Sequence, residues 1–397
     1  MTSASFKVRG AHAGRGRLIL AAVFLALLAT GRTFAAYTGF SGFSPIISMD
    51  LPEGFKLVES SDDGKAFQLR SSIVPVDALV RIYPKDRYSS SMEALTDVLG
   101  KFRAEFESDS VEWRNQTGAI ATFNAPMLGV PSCGYGSATV LPRDEGILVL
   151  LIWTSSGNGN AYAQFMASFI DSLCIDNGSY FETGMLTRYA YPPDTHKEDL
   201  TLEIDGKTIR TQIRGNDSEA AQFLIEREYA VLCLYQTSPL WREAWKRFYR
   251  MIYRDSCHRL MQVSFDVYNA LAPDCSDETD LAQRLLGWVQ GFEYEREQTA
   301  SDFASLPGML MGEGSDCDSR SMLLAVMLKS MNMDAVVFVS AEYSHALAGL
   351  MSDHPGFSFR AGEKSYLVGD TTIKGLSWGK MDAEQADQSK WLTVEFP

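Results

Sequence analysis

The sequence predicts an α+β protein: an antiparallel sheet with helices packed on it, a helical middle section, and a mixed C-terminal domain. Three observations carry this. Apolar residues alternate at Phe67 and Leu69 and again at Ala78, Val80 and Ile82, as half-buried strands require. Asp205-Gly206 lies between Leu200, Leu202, Ile204 and Ile209, Ile213, a type I′ hairpin signal, and helical periodicity follows it. Cys317 opens a helix-patterned run, and His345 and Asp370 follow at strand-like positions.

The N-terminus reads as an export signal. Lys7, Arg9, Arg15 and Arg17 precede the apolar run Leu18 to Ala29, and Thr33-Phe34-Ala35 supplies small residues for cleavage near Ala35 or Ala36. The alternative is an uncleaved anchor, but the run falls short of the ~20 residues a spanning helix needs. Residues 1–35 are therefore expected to be a signal peptide. No cysteine follows the run, which argues against a lipid anchor.

Removing residues 1–35 takes away five basic residues and no acidic ones, so the formal charge moves from −14 to −19. Such a chain is not drawn to nucleic acid or to an anionic membrane by electrostatics. It is expected to be soluble and exported, periplasmic or extracellular, with no stable membrane insertion after cleavage. A hydrophobic fraction of 46% is ordinary for a globular chain, and the length suffices for two or three cores.

An oxidising compartment permits disulfides. Cys257 with Cys275, and Cys133 with Cys174, are the expected pairings. Cys233, within Ala230-Val231-Leu232-Cys233-Leu234, reads as a buried structural thiol. Cys317 is left over.

The first domain is expected over 48–176. Ser90-Ser91-Met92-Glu93 resembles a capping box opening a helix with Met92, Leu95, Leu99, Phe102 and Phe106 on its apolar face. Strands are expected near Ile120–Phe123 and over Ile147–Trp153, then a helix carrying Tyr162, Phe165, Phe169 and Leu173. With Leu51-Pro52-Glu53-Gly54-Phe55, Tyr83-Pro84 and the closing Phe165…Ile170-Asp171-Ser172-Leu173, this segment resembles PsbP-like domains. That resemblance implies an α/β/α sandwich serving as a non-catalytic accessory module. The segment holds no histidine.

Residues 177–275 are expected to form the hairpin and two helices, one over about 218–235 and one through Trp241, Trp245, Phe248 and Ile252, whose aromatic face reads as helix core rather than ligand surface. Arg242, Lys246, Arg247, Arg250 and Arg254 on its other faces read as a solvated or acid-paired surface. Asp274, Asp277, Glu278 and Asp280 lack the spacing of a calcium loop and read as a helix N-cap and first turn.

The third domain, 276–397, carries the candidate chemistry. A helix over Leu285, Leu286, Val289 and Phe292 leads to a loop and then Cys317. A helix N-terminus favours a thiolate, and its free N–H groups suit the oxyanion of a tetrahedral intermediate. Strands are expected over Asp334–Ser340, from His345, and ending at Asp370. The Gly314-Ser315-Asp316-Cys317-Asp318 context, the His345 strand and the Asp370-Thr371-Thr372 strand end resemble the bacterial transglutaminase-like superfamily over roughly 280–379.

The resemblance implies a papain-like domain with Cys317 as nucleophile, His345 as general base and Asp370 orienting the imidazole. It implies a cysteine peptidase or amidase acting on a protein or peptide of the cell envelope, with no cofactor and no metal. The alternatives it leaves are a cross-linking transglutaminase and an inactive binding or scaffolding member. Ser315 makes the Gly-Asp-Cys step one residue looser than the pattern, and the His-to-Asp interval is longer. His354 rivals His345, but the residue before a proline is pushed extended, which favours His345. Gln298 is a candidate second oxyanion donor.

Overall fold

A computed structural model describes residues 37–40, 43–44, 47–295 and 303–397. The signal-peptide expectation and Gln298 lie outside the described residues. No helix among the described residues is long and apolar enough to cross a membrane.

Strands β1 (Thr38–Gly39) and β2 (Ser48–Met49) open the described chain. Then come β3 (Phe55–Ser60), β4 (Ala66–Ser71), β5 (Asp77–Tyr83), helix α1 (Ser91–Lys101), β6 (Glu105–Trp113), β7 (Gln116–Met127), β8 (Val130–Val140), β9 (Ile147–Ser155), α2 (Gly159–Asp171) and β10 (Leu173–Cys174). Seven of these strands form one sheet in the order β3-β4-β5-β9-β8-β7-β6, and every neighbouring pair is antiparallel.

Both faces of that sheet are covered. Leu95, Val98 and Leu99 of α1 pack with Phe123, Val149 and Leu151 on one side. Phe165 and Phe169 of α2 pack with Val80, Leu148, Leu150 and Ile152 on the other. This explains why β9 is an unbroken apolar run: a strand buried on both faces does not alternate.

The Ser90 side chain caps α1 by accepting from Glu93 N–H at 3.1 Å, while Glu93 reaches back to Ser89. The helix stops at Lys101, one residue before the expected Phe102. Phe106 instead lies on edge strand β6 and is exposed. Leu173 is likewise outside its expected helix, pairing with Met49.

The second half begins with α3 (Met185–Ala190), β11 (Lys197–Ile204) and β12 (Lys207–Arg214). Asp205 (φ 51°) and Gly206 (φ 75°) make the left-handed pair that a type I′ turn demands. Helices α4 (Asp217–Cys233), α5 (Trp241–Arg259), α6 (Met261–Leu271), α7 (Glu278–Val289), α8 (Leu306–Met311) and α9 (Cys317–Ser330) follow. Asp277 caps α7 through Asp280 N–H at 2.8 Å. Strands β13 (Ala335–Ser340), β14 (His345–Met351), β15 (Ser358–Ala361), β16 (Lys364–Gly369) and β17 (Leu392–Glu395) form an antiparallel sheet in the order β15-β16-β14-β13-β17.

One core runs from Leu202 to Phe396, so the hairpin, the helices and this sheet share it. At its centre is α9, whose residues Met322 to Leu328 are all fully buried. A helix enclosed on every side is held by packing around its whole circumference. Truncating Leu323 there would cost about 2–5 kcal/mol. That packing fixes the position of the N-terminus of α9.

Among the basic residues of α5, Arg242 is exposed, while Arg247, Arg250 and Arg254, each under 5% exposed, are interior and acid-paired or bound to carbonyls. Arg250 makes a two-pronged ion pair with Asp50, both contacts at 2.8 Å. Arg247 binds Glu228 at 2.8 Å and the Asp50 carbonyl at 2.7 Å. Arg254 donates to the carbonyls of Asp171, Leu173, Ser179 and Glu182. On α4, Arg227 joins Asp171 at 2.6 Å and Glu228 at 2.8 Å. Apart from Glu228, on α4 itself, these partners lie far back in the sequence, beyond the reach of any local pattern.

All six cysteines are free thiols. The pairings expected from sequence are not formed. Cys257 is buried beside Tyr253 on α5, while the Cys275 thiol donates to the Leu271 carbonyl at 3.3 Å. Cys174 is buried, whereas Cys133 packs near Gly159 at the start of α2. Cys233 is only half-buried, at the C-terminal end of α4.

Candidate cysteine site

Cys317 is the first residue of α9. Its position is set by a reciprocal cap: Asp316 Oδ1 accepts from Ser319 N–H at 2.7 Å, and Ser319 Oγ accepts from Asp316 N–H at 2.9 Å. Gly314, with φ 86°, turns the chain into this cap, and a Cβ there would meet the Glu295 carboxylate at 2.7 Å.

Ser315 is not a loose insertion. Its hydroxyl donates to the Glu293 carbonyl at 2.6 Å and accepts from Arg320 Nε at 2.8 Å, and its carbonyl accepts from Glu295 N–H at 2.9 Å. Arg320, 2% exposed, also reaches the carbonyls of Phe292 (2.5 Å) and Thr371 (3.3 Å), and its guanidinium stands over the Tyr294 ring. One side chain thus ties together the end of α7, the loop before Cys317 and the loop after Asp370.

His345 begins β14, paired with Ser340 of β13. Its Nε2 lies 3.1 Å from Asp370 Oδ2. Asp370 follows β16, and its other oxygen accepts from the N–H (2.8 Å) and hydroxyl (2.6 Å) of Thr372. Burial would raise the Asp370 carboxyl, but the hydrogen bonds and charge of His345 and the Thr372 donors outweigh it and hold it below its ordinary value. Buried Gln290 donates to the Asp370 carbonyl (2.8 Å) and the Leu376 carbonyl (2.9 Å) and accepts from Gly375 N–H (2.9 Å). It clamps the loop that presents Asp370.

His354, between His345 and Asp370 in the chain, takes no part in this arrangement. It is exposed and lies 3.4 Å from Asp277 at the start of α7. The histidine that meets Asp370 is His345.

Ala346 N–H, next to His345, acts on the Cys317 sulfur in the direction that favours the thiolate, and the thiol donates to Asp318 Oδ2 at 3.5 Å. Among the described residues no hydrogen bond joins Cys317 to His345. The structure therefore unites His345 with Asp370 and seats Cys317 against the same strand, with its thiol turned to Asp318.

The expected lowering of this thiol by the helix N-terminus is reversed. Burial pushes it well above its usual value, and the Asp318 and Asp316 carboxylates push it the same way. Two anions flanking the sulfur outweigh the partial positive charge of the helix start. Asp318 in turn accepts from the buried Tyr249 hydroxyl.

A cleft of about 300 Å³ opens beside these groups, lined by Trp245, Phe248 and Tyr249 of α5 and by Asp318, Ser340 and His345. The aromatic face of α5 therefore divides. Ile252 is core, while Trp245 and Phe248 pack with the core and also wall the cleft. Tyr249, Gln290 and Asp318 escaped the sequence reading as site residues, although Asp318 lay inside the motif. The donor atoms of Asp316, Cys317 and Asp318 lie within 4.8 Å of one another. The cap and the Tyr249 bond account for both carboxylates without an ion.

No protein-family model matches this chain, and no curated protein matches it. Weak likenesses to solved structures cover part of it. The cyanobacterial PsbP protein CyanoP of Synechocystis is 13% identical with a TM-score of 0.29, over 36% of this chain and 95% of that one. The Ran-binding protein Mog1p of Saccharomyces cerevisiae is 12% identical with a TM-score of 0.26, over 33% of this chain and 90% of that one. A Bacteroides thetaiotaomicron protein is 10% identical with a TM-score of 0.18, over 54% of this chain and 74% of that one. Likenesses this distant say nothing about what the chain does.

Proposed function

We propose that the protein is an exported cysteine hydrolase, a peptidase or amidase of the cell envelope, whose C-terminal half is a transglutaminase-like, papain-like domain. The observation that carries the reading is the contact between His345 Nε2 and Asp370 Oδ2 at 3.1 Å, on the strand against which α9 packs.

With Nε2–H committed to Asp370, Nδ1 is the imidazole nitrogen left to accept a proton. Rotation of the thiol away from Asp318 delivers the Sγ proton to Nδ1 as sulfur attacks the amide carbonyl carbon. The N–H groups at the start of α9, which have no intrahelical partner, receive the oxyanion. The imidazolium then protonates the leaving amine, giving a thioester. Water, deprotonated by the same imidazole, releases the acid and restores the thiol. An amine in place of water would give cross-linking.

The second reading is an inactive binding or scaffolding protein on the same fold. The raised thiol and its turn toward Asp318 favour it. Site-resolved labelling with iodoacetamide at neutral pH separates the two. The hydrolase predicts that His345→Ala slows labelling of Cys317 by roughly a hundred-fold. Equal, slow labelling in both chains sinks it. Incorporation of a fluorescent amine into envelope proteins would mark cross-linking instead of hydrolysis.

A further inference from the structure

A second cavity, of about 340 Å³, lies where the end of β12 meets the corner between α5 and α6. Lys197, Arg214, His258 and Arg259 line it, together with Met261 and Phe265, which are 57% and 61% exposed. The cysteine site does not use it.

Its charges do not balance. Arg259 is neutralised by Asp255, at 2.8 Å, and by Asp217, at 2.7 Å. Asp217 is the one carboxylate among the described lining residues, and it also accepts from Arg214 N–H. Arg188 of α3 is half-buried within electrostatic reach of Arg214, Arg259 and His258. Glu182, a carboxylate that acts on both Arg188 and His258, is engaged by Arg114. Among the described residues, the side chains of the lining cations Lys197 and Arg214 and of His258 have no ion-pair or hydrogen-bond partner.

Like charges gathered in a half-buried place repel. Burial and then Arg214 hold Arg188 below its ordinary value. Burial holds His258 down, with Arg214, Arg188 and Arg259 acting the same way against Glu182. In a chain of formal charge −14, such a concentration of unpaired cations is not a general surface property. A guanidinium and an ammonium group of this kind match the oxygens of phosphate and carboxylate.

We propose that this cavity binds an organic anion: a phosphate or carboxylate group held by Lys197, Arg214 and His258, with an apolar portion lying on Met261 and Phe265. The site is independent of Cys317, so Cys317→Ala leaves it intact.

Calorimetric titration of the whole chain with inorganic phosphate and with hexyl phosphate tests this. Hexyl phosphate is expected to bind about ten-fold tighter than inorganic phosphate. The double substitution Lys197→Gln with Arg214→Gln should weaken both by about ten-fold or more. Phe265→Ser should remove only the advantage of the alkyl chain. In the unmodified chain, the His258 imidazole resonances should titrate at higher pH with hexyl phosphate bound, a readout that needs no variant. Absence of binding to either probe, equal affinity in the double variant, or a His258 titration indifferent to the ligand would overturn the proposal.

Discussion

The Tyr249 hydroxyl donates to one oxygen of Asp318, and the other oxygen of that carboxylate receives the Cys317 thiol at 3.5 Å. The residue after the candidate nucleophile therefore holds it protonated. Asp318→Asn removes the nearer of the two anions that push the thiol up. The expected result is a shift of the alkylation-rate profile of Cys317 to lower pH, with a rate at neutral pH higher on the order of ten-fold. A profile that stays in place would show that burial alone sets the thiol.

Asp370 makes a pH-dependent contribution of opposite origin. Its folded-state value lies below its ordinary one. The stability it adds is therefore complete above the ordinary carboxylate range and is lost as pH falls through the folded value. Urea midpoints of the native chain and of Asp370→Asn should differ most near neutrality and converge below about pH 3.

Glu53 behaves the other way. Burial, reinforced by Asp50, raises it to about 7 despite Arg250 and Arg247. The native state holds this proton where the unfolded chain has released it, so stability falls as pH rises from the ordinary value through about 7. Glu53→Gln cannot lose that proton. The melting temperature of the native chain relative to Glu53→Gln should decline between about pH 4 and pH 8.

Arg227, 1% exposed at its side chain, holds Asp171 and Glu228 at once. Arg227→Met leaves two buried carboxylates short of a cation, and a loss of about 3–5 kcal/mol in denaturant-derived stability is expected. A loss below about 1 kcal/mol would mean that Arg247 and the surrounding donors compensate.

Much of the local architecture was legible because it is written in short-range chemistry. The Asp205-Gly206 turn, the Ser90 and Asp277 caps, the start of α9 at Cys317 and the start of β14 at His345 each depend on a few neighbouring residues. The choice of His345 over His354 followed from what proline does to the residue before it. What was illegible depends on distant partners. The burial of Arg250 needs Asp50, and that of Arg254 needs carbonyls some 70–80 positions earlier. Nothing in the sequence around Gln290 points to the loop after Asp370. The upward push on Cys317 was missed for a different reason. A helix start was weighed there, but its enclosure and its two acidic neighbours were not.

The α5 arginines also decide how this protein can be dissected. A fragment beginning at residue 177 would retain the cysteine, histidine and aspartate together with the whole cleft. It would also carry Arg227 without Asp171 and Arg250 without Asp50. Arg254 would lose the carbonyls of Asp171 and Leu173. Stranded cations on an otherwise apolar helix face would favour aggregation or unfolding over a working miniature. The first half is thus the electrostatic counterpart that lets the second half exist in water, and any assay of the candidate chemistry has to begin with both.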